Sequence, residues 1–481
     1  MSLFIIAAPL VLAVMWPALL LYHWIDQNQG ITATARLLER AVPDKGMCLV
    51  LLAWSLSGLL EGIAGFGLPI ALVAPMLVAL GVPALRSVAA VAVGHSWAVT
   101  FGDMGVILQT LSAVVSMPVA DLVPCAGILL GLAILICGLL AALVLGELRQ
   151  WPKIAALSLV IGTVQYGLAA GGLLPLSAFG AGLSGLLAYL VVARLASRKR
   201  LSRGEIPSGS SSRKEADEGC GLPSFCSGNE LEELRGWTGG PARLAIGCYG
   251  ALTVLMAALT LVPRVQHSLQ SVGWKPLFPG VSTSTGFTTP AGPGQAIRPL
   301  VHPGTLILFV ACASIALACR SEGTISAARK AVSATVRTAG TASLGIILMV
   351  GLSTLMDHCG MSWLLAQGLS ACLGGAYPLL APGVGILGAF ATGSNNNSNV
   401  LFGSLQKNVA VLQGIEPQVL VGAQTAGGSL GSMLAPAKII VGCSTVGETG
   451  REGRVLRRTV PLGVGAGLAL GVLALALSRL H

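Results

Sequence analysis

Charge is the scarcest resource in this chain. Only 10% of its 481 residues are Asp, Glu, Lys or Arg, where soluble domains carry about 25%. So few charges cannot build a water-facing surface around most of the chain, which excludes an ordinary soluble enzyme or binding module. Two common catalytic signatures are missing too: there is no Walker A or HExxH pattern, so ATP-driven pumps and zinc hydrolases lack support. The eleven cysteines are scattered without metal-ligand spacing, and Cys220 and Cys226 are the only pair in a polar loop. No resident metal or cofactor is expected. The N-terminus lacks a basic n-region and a small-residue cleavage site, so residues 3–24 read as a retained helix.

Apolar residues make up 54% of the chain, with 63 glycines and 25 prolines, and the mean hydropathy is +0.81. This is the composition of a polytopic membrane protein with broken, closely packed helices. The net charge of +10 does not point to nucleic acid, because the basic residues cluster beside apolar spans.

The chain is organised around residues 392–399, TGSNNNSN. Six polar residues, Ser394, Asn395, Asn396, Asn397, Ser398 and Asn399, stand in a row between apolar flanks. Backbone can leave the helix at membrane depth only where protein or a water-filled cavity surrounds it. The expectation is a re-entrant hairpin over 378–412, with its polar tip facing a small solute. The Asn396-Asn397-Ser398 sequon reads as an accident of composition. A second hairpin is expected over 47–80, where two arms short of the ~20 residues of a crossing flank Glu61-Gly62-Ile63-Ala64-Gly65-Phe66-Gly67.

Two long spans are interrupted: 84–111 by Gly94-His95-Ser96 and Thr100–Gly105, and 418–446 by Gly427-Gly428 and Ala435-Pro436-Ala437-Lys438. Residues 31–42 form a short amphipathic segment. Residues 148–196 and 241–337 supply scaffold spans, and the polar stretch 197–240 is the one good linker. Arg198, Lys199, Arg200, Arg203, Arg213 and Lys214 place that linker in the cytoplasm. The Arg36/Arg40/Lys45, Arg86, Arg149/Lys153, Arg329/Lys330/Arg337 and Arg451–Arg458 groups fall on the same side only if both 47–80 and 378–412 enter and leave on one face. The chain ends then match with opposite orientation, 1–147 against 338–481. His95 and Thr100-Phe101-Gly102-Asp103-Met104 echo Gln424 and Ser429-Leu430-Gly431-Ser432-Met433. Together these features predict an all-α inverted-repeat secondary transporter, with its site where the repeats meet.

Ionisable groups inside spans are costly and default to functional candidates. Lys438 needs a partner: a substrate carboxylate, a protein carboxylate, or water reached by snorkelling. His95 and Asp103, eight residues apart, could share one helical face and carry a coupling proton, or form a satisfied core pair. Glu61 could serve the same coupling or cap a helix N-terminus. The backbone of Gly65, Phe66 and Gly67 and the amides of Asn395–Asn399 would bind substrate, although Asn and Ser oxygens also suit Na⁺.

Three stretches resemble the lactate permease family: EGIAGFGLP at 61–69, TGSNNNSN with the following VLFGSLQ at 392–406, and GSMLAPAKIIVGCSTVG at 431–447. The resemblance runs over nearly the whole chain. It implies a plasma-membrane carrier that takes up L-lactate, D-lactate or glycolate with protons, acting in membrane lipid without nucleic-acid partners. This sequence carries Asn395 where the family usually places Asp, and His95, Asp103 and Gln424 where it places Asn, a small residue and Asn. The departure reads as a relocated protonatable site. The expected assignment puts a 2-hydroxy monocarboxylate on Lys438, Gln424 and the two tips, with Glu61, His95 and Asp103 handling the proton. The alternatives are a sodium-coupled carrier of another organic anion, or an anion channel. The middle spans are expected to provide scaffold or homo-oligomer contacts.

Overall fold

The computed structural model describes residues 2–29, 44–63, 67–202 and 322–480, and parts of the stretch 243–318. The segment 31–42, residues 203–240 of the linker, and Gly65 and Phe66 of the first tip lie outside the described residues. Apart from turns and two exposed two-residue ladders, Leu277–Phe278 with Gly292–Pro293 and Val281–Ser282 with Thr288–Thr289, the described residues are helical. Eight helical segments among them are long and apolar enough to cross a membrane. The chain is an all-α, multi-pass membrane protein.

Helix α1 (Ser2–Gln27) packs on α10 (Pro303–Ala318) and α11 (Glu322–His358). Helix α2 (Lys45–Leu51) runs through a π turn, Leu52–Leu56, into α3 (Ser57–Ile63), and α4 (Leu68–Ala79) returns beside it. The first arm is longer than its apolar run suggested: Lys45–Gly62 spans 18 residues, because polar Ser55 and Ser57 find partners inside. Ser55 Oγ donates to Gly182 O at 2.8 Å, and Ser57 Oγ donates to Ala53 O. The π turn also aims Trp54 Nε1 at Ile134 O, 3.0 Å away.

Helices α5 (Ala84–Gly94) and α6 (Val106–Val115) are the halves of the first broken span, followed by α7 (Val119–Leu145), α8 (Trp151–Ala170) and α9 (Ser177–Ser202). After α11 come α12 (Met361–Leu373), α13 (Tyr377–Thr392) and α14 (Asn395–Gln413). The second broken span is α15 (Pro417–Gly431) and α16 (Pro436–Thr445), and α17 (Glu452–Leu480) closes the chain. The scaffold stretch 241–337 contains α10 and the first part of α11, a 37-residue helix that carries Arg329, Lys330 and Arg337 and runs on into the stretch 338–481.

Burial separates the two kinds of span. Within their apolar windows, 94% of Lys45–Gly62, 89% of Ala84–Val115 and 72% of Pro417–Thr445 lie inside the protein, against 33% of Leu148–Ala170 and 39% of Glu452–Leu480. The irregular backbone is therefore enclosed by other helices, as membrane depth demands. At the centre, α15 packs on α7, α13, α14 and α17. Its contact with α13 is backbone to backbone: a Cβ on Gly427 would run into Pro382, and one on Gly385 into Gln424 O and Gly428 N. Small residues permit that approach.

Candidate functional site

Most of the polar run 392–399 is already helical. Gly393 ends α13 in the left-handed region (φ +74°), Ser394 is extended, and Asn395–Asn399 already form the first turn of α14. The helix N-terminus thus begins within the polar run, and its free N–H groups account for the chemistry of that turn. Thr392 Oγ1 donates to Gly388 O and Ser394 O, and Ser398 N to Ser394 O at 3.0 Å. Asn396, buried and helical, is unsuited to glycosylation.

Both tips touch the second break. A Cβ on Gly67 (φ +84°) would lie 3.8 Å from Lys438 Cα, and one on Gly393 3.8 Å from Ala437 Cβ. Between the two arms of the second broken span, Ser432–Leu434 forms a 3-10 turn and Ala435 is extended. Lys438, in the first turn of α16, sends its ammonium to Glu61 Oε1 at 3.0 Å; the side chains are 11% and 1% exposed. Lys438 Nζ also lies 3.4 Å from His95 Nε2, and Ser432 Oγ 3.5 Å from the same nitrogen. His95 Nδ1 sits 2.8 Å from Val91 O. A carbonyl only accepts, so Nδ1 carries the proton and the Nε2 lone pair faces Lys438. Glu61 Oε2 is buried with no hydrogen-bond partner among the described residues.

Two expectations are corrected here. Glu61 does not cap a helix N-terminus: it lies in the last turns of α3 and neutralises Lys438. His95 and Asp103 do not share a helical face, because α5 ends at Gly94 and the chain passes through a 3-10 turn, Ser96–Ala98, before Asp103. Asp103, Met104 and Gly105 then follow one another in the left-handed region, at φ +48°, +54° and +78°. Each left-handed non-glycine residue costs about 1–2 kcal/mol, strain that tends to persist at functional sites. Gly102 rests on the tip residue, since a Cβ there would approach Glu61 O to 2.7 Å.

A second network joins the tip of α14 to both breaks. Thr100 Oγ1 donates to Thr425 O at 2.8 Å, and Thr100 N to Ser429 Oγ at 3.3 Å; Ser429 Oγ donates to Ser96 O. The echoed positions Thr100 and Ser429 therefore meet each other. Asn395 Nδ2 donates to Thr100 Oγ1 and Thr425 O, and Asn399 Nδ2 to Thr425 Oγ1 at 2.8 Å. Gln424 joins a separate relay: its amide donates to Ser398 Oγ at 3.0 Å and accepts from Gln406, which in turn accepts from Tyr377 OH. Thr425 and Tyr377 escaped sequence reading because a threonine and a tyrosine in apolar helices carry no motif, and Gln406 ends the family-like stretch 392–406 without a pattern that gives it a role. Only their helix-face positions place them.

The sequence family described as "L-lactate permease" matches residues 2–228 and 282–481. The chain belongs to that family. Among its relatives, the L-lactate permease of Bacillus subtilis (strain 168) is 28% identical over 439 residues, covering 87% of this chain and 76% of that one. The glycolate permease GlcA of Escherichia coli K12 is 27% identical over 462 residues, covering 90% and 78%. The solved Alcanivorax borkumensis YdaH transporter aligns with a TM-score of 0.50 at 16% identity, over 99% of this chain and 86% of that one, a likeness of fold. With the buried, broken spans, family membership makes this chain a transporter of small organic acids and not an enzyme.

Proposed function

We propose that the chain carries a small 2-hydroxy monocarboxylate of the lactate or glycolate kind by proton symport. The observation behind this reading is the Lys438–Glu61–His95 cluster at the meeting point of both tips and both breaks. A buried ammonium is stable only beside an anion. A substrate carboxylate arriving at Lys438 competes with Glu61 for that role. Glu61, 1% exposed and deprived of its counter-ion, then binds a proton, since burial disfavours an unpaired carboxylate. Anion and proton enter together, and the cluster's net charge is unchanged. His95 Nε2, an acceptor beside Lys438, is placed to receive and pass that proton. Gly67 and the first turn of α14 line the substrate's approach, with the two hairpins re-entering the membrane as halves of an inverted repeat. Asp103, on its strained turn beside the cluster, remains a further candidate proton group.

Uptake of labelled lactate into proteoliposomes tests this directly. A proton gradient should drive accumulation, and Glu61→Gln should abolish accumulation while retaining lactate exchange down its own gradient. Accumulation driven by a sodium gradient and indifferent to protons would overturn the coupling. Unchanged accumulation by Glu61→Gln would remove Glu61 from it.

A further inference from the structure

Three amide oxygens in the first turn of α14, Oδ1 of Asn395, Asn396 and Asn399, are buried without a hydrogen-bond partner among the described residues. Their residues are 2%, 8% and 0% exposed. Exchanging amide O and N would ordinarily dissolve such a result, but here the network forbids it for Asn395. Asn395 donates to Thr425 O, a carbonyl, so its nitrogen must point that way. Thr100 Oγ1 spends its only proton on Thr425 O. In the 3.2 Å contact between the two hydroxyls, any shared proton therefore comes from Thr425. Thr425 Oγ1 is then left to accept from Asn399 Nδ2. The amide donors of Asn395 and Asn399 face Thr425 and Thr100, and acceptors are left over.

The proposed substrate cannot use them. A carboxylate only accepts, and a 2-hydroxy acid brings one further donor for three oxygens. Buried acceptors in excess of donors suit a hard cation, which oxygen ligands coordinate. The end of α13 adds its own free carbonyls: Thr392 precedes left-handed Gly393, and the last four C=O groups of a helix have no partner within it. The negative end of α13 therefore lies beside the positive end of α14 and offsets it. No charged side chain occurs from 377 to 399, so the ligand charge needed to hold a divalent ion is missing.

We infer that the first turn of α14 is a binding site for a monovalent hard cation, Na⁺ foremost, formed by Oδ1 of Asn395, Asn396 and Asn399. The site is separate from the Lys438–Glu61–His95 cluster and does not depend on the carrier's substrate. Gly428 is part of its construction, because a Cβ there would occupy the place of Asn395 Oδ1.

Purified full-length protein in detergent, without lactate, tests the site at constant ionic strength with NaCl, KCl or choline chloride. Na⁺ should raise the unfolding temperature saturably, by mass action on the folded state, and labelled ²²Na⁺ should be retained. Supporting groups around a metal are worth about 10–100-fold in affinity, so loss of one ligand oxygen should weaken retention at least about tenfold. Asn399→Ala removes a ligand together with its bond to Thr425. Asn396→Ala removes an oxygen that bonds nothing else and serves as the variant that keeps its fold. Equal unfolding temperatures in Na⁺, K⁺ and choline with no ²²Na⁺ retention would overturn the inference, as would unchanged retention in both variants. Because no transport is measured, this outcome is independent of whether lactate or protons are carried.

Discussion

Removing the partners of the buried ion pair singly and together gives the sharpest test of how this site is held. At 3.0 Å and an effective dielectric of about 20, the Lys438–Glu61 attraction is about 5–6 kcal/mol. Desolvation of both groups consumes much of that, so the pair's net worth is small while either charge left alone is costly. Lys438→Met leaves a carboxylate that is 1% exposed and already has one unpartnered oxygen; the expected loss is about 3–5 kcal/mol. Glu61→Gln leaves an ammonium 11% exposed that keeps His95 Nε2 at 3.4 Å, so it should lose less. The double variant has neither charge and should recover most of the stability, a coupling of about 2–3 kcal/mol. Unfolding by sodium dodecyl sulfate titration in mixed micelles reads all four proteins. If the two single losses simply add in the double variant, the pair is not the unit described here.

Three further expectations follow from the packing. Gly427→Ala drives a methyl into the Pro382 backbone and should cost about 1–3 kcal/mol; Gly465→Ala, with nothing within 4 Å, should be silent in the same unfolding assay. Tyr377→Phe strips the donor from buried Gln406 Oε1 and should cost about 1–3 kcal/mol, with glycolate and lactate affinity reporting whether the relay reaches the substrate. Asp44 links the start of α2 to α8: it accepts from Met47 N, and Lys153 Nζ lies 2.8 Å away. Burial raises its carboxyl pKa, but Lys153, Met47 and Gln150 outweigh that and hold it below the usual carboxylate range. The clamp is then fully present above about pH 4, the unfolded carboxylate value, and is lost as pH falls through the depressed folded value. Asp44→Asn should remove that acid-dependent part of the unfolding curve and leave neutral-pH uptake unchanged.

Much of this molecule is legible in its residue order, for reasons that are local. Scarce charge and long apolar runs dictate a membrane protein, and three of the four marked interruptions of the two long spans reappear in real breaks: Gly94–Gly105 between α5 and α6, Ser432–Ala435 between α15 and α16, whereas Gly427-Gly428 stays inside α15. A break costs backbone hydrogen bonds wherever it sits, so its signature is written in the residues that tolerate it. Glu61, His95 and Lys438 were also legible as candidates, because an ionisable group in a span is expensive in any fold. Which of them touch was not. A spacing of eight residues allows His95 and Asp103 one helical face; the 3-10 turn and the left-handed Asp103–Gly105 separate them, and His95 meets Lys438, 343 positions away. Asn395 and Asn399 are conspicuous as polar residues, but that their nitrogens face protein partners and their oxygens are left over depends on Thr100 arriving from the first break and Thr425 from α15. Sequence alone determined where the polar and irregular backbone must lie. Tertiary packing decided which charges neutralise each other and which acceptors remain unpaired, because those are properties of side chains brought together across hundreds of residues.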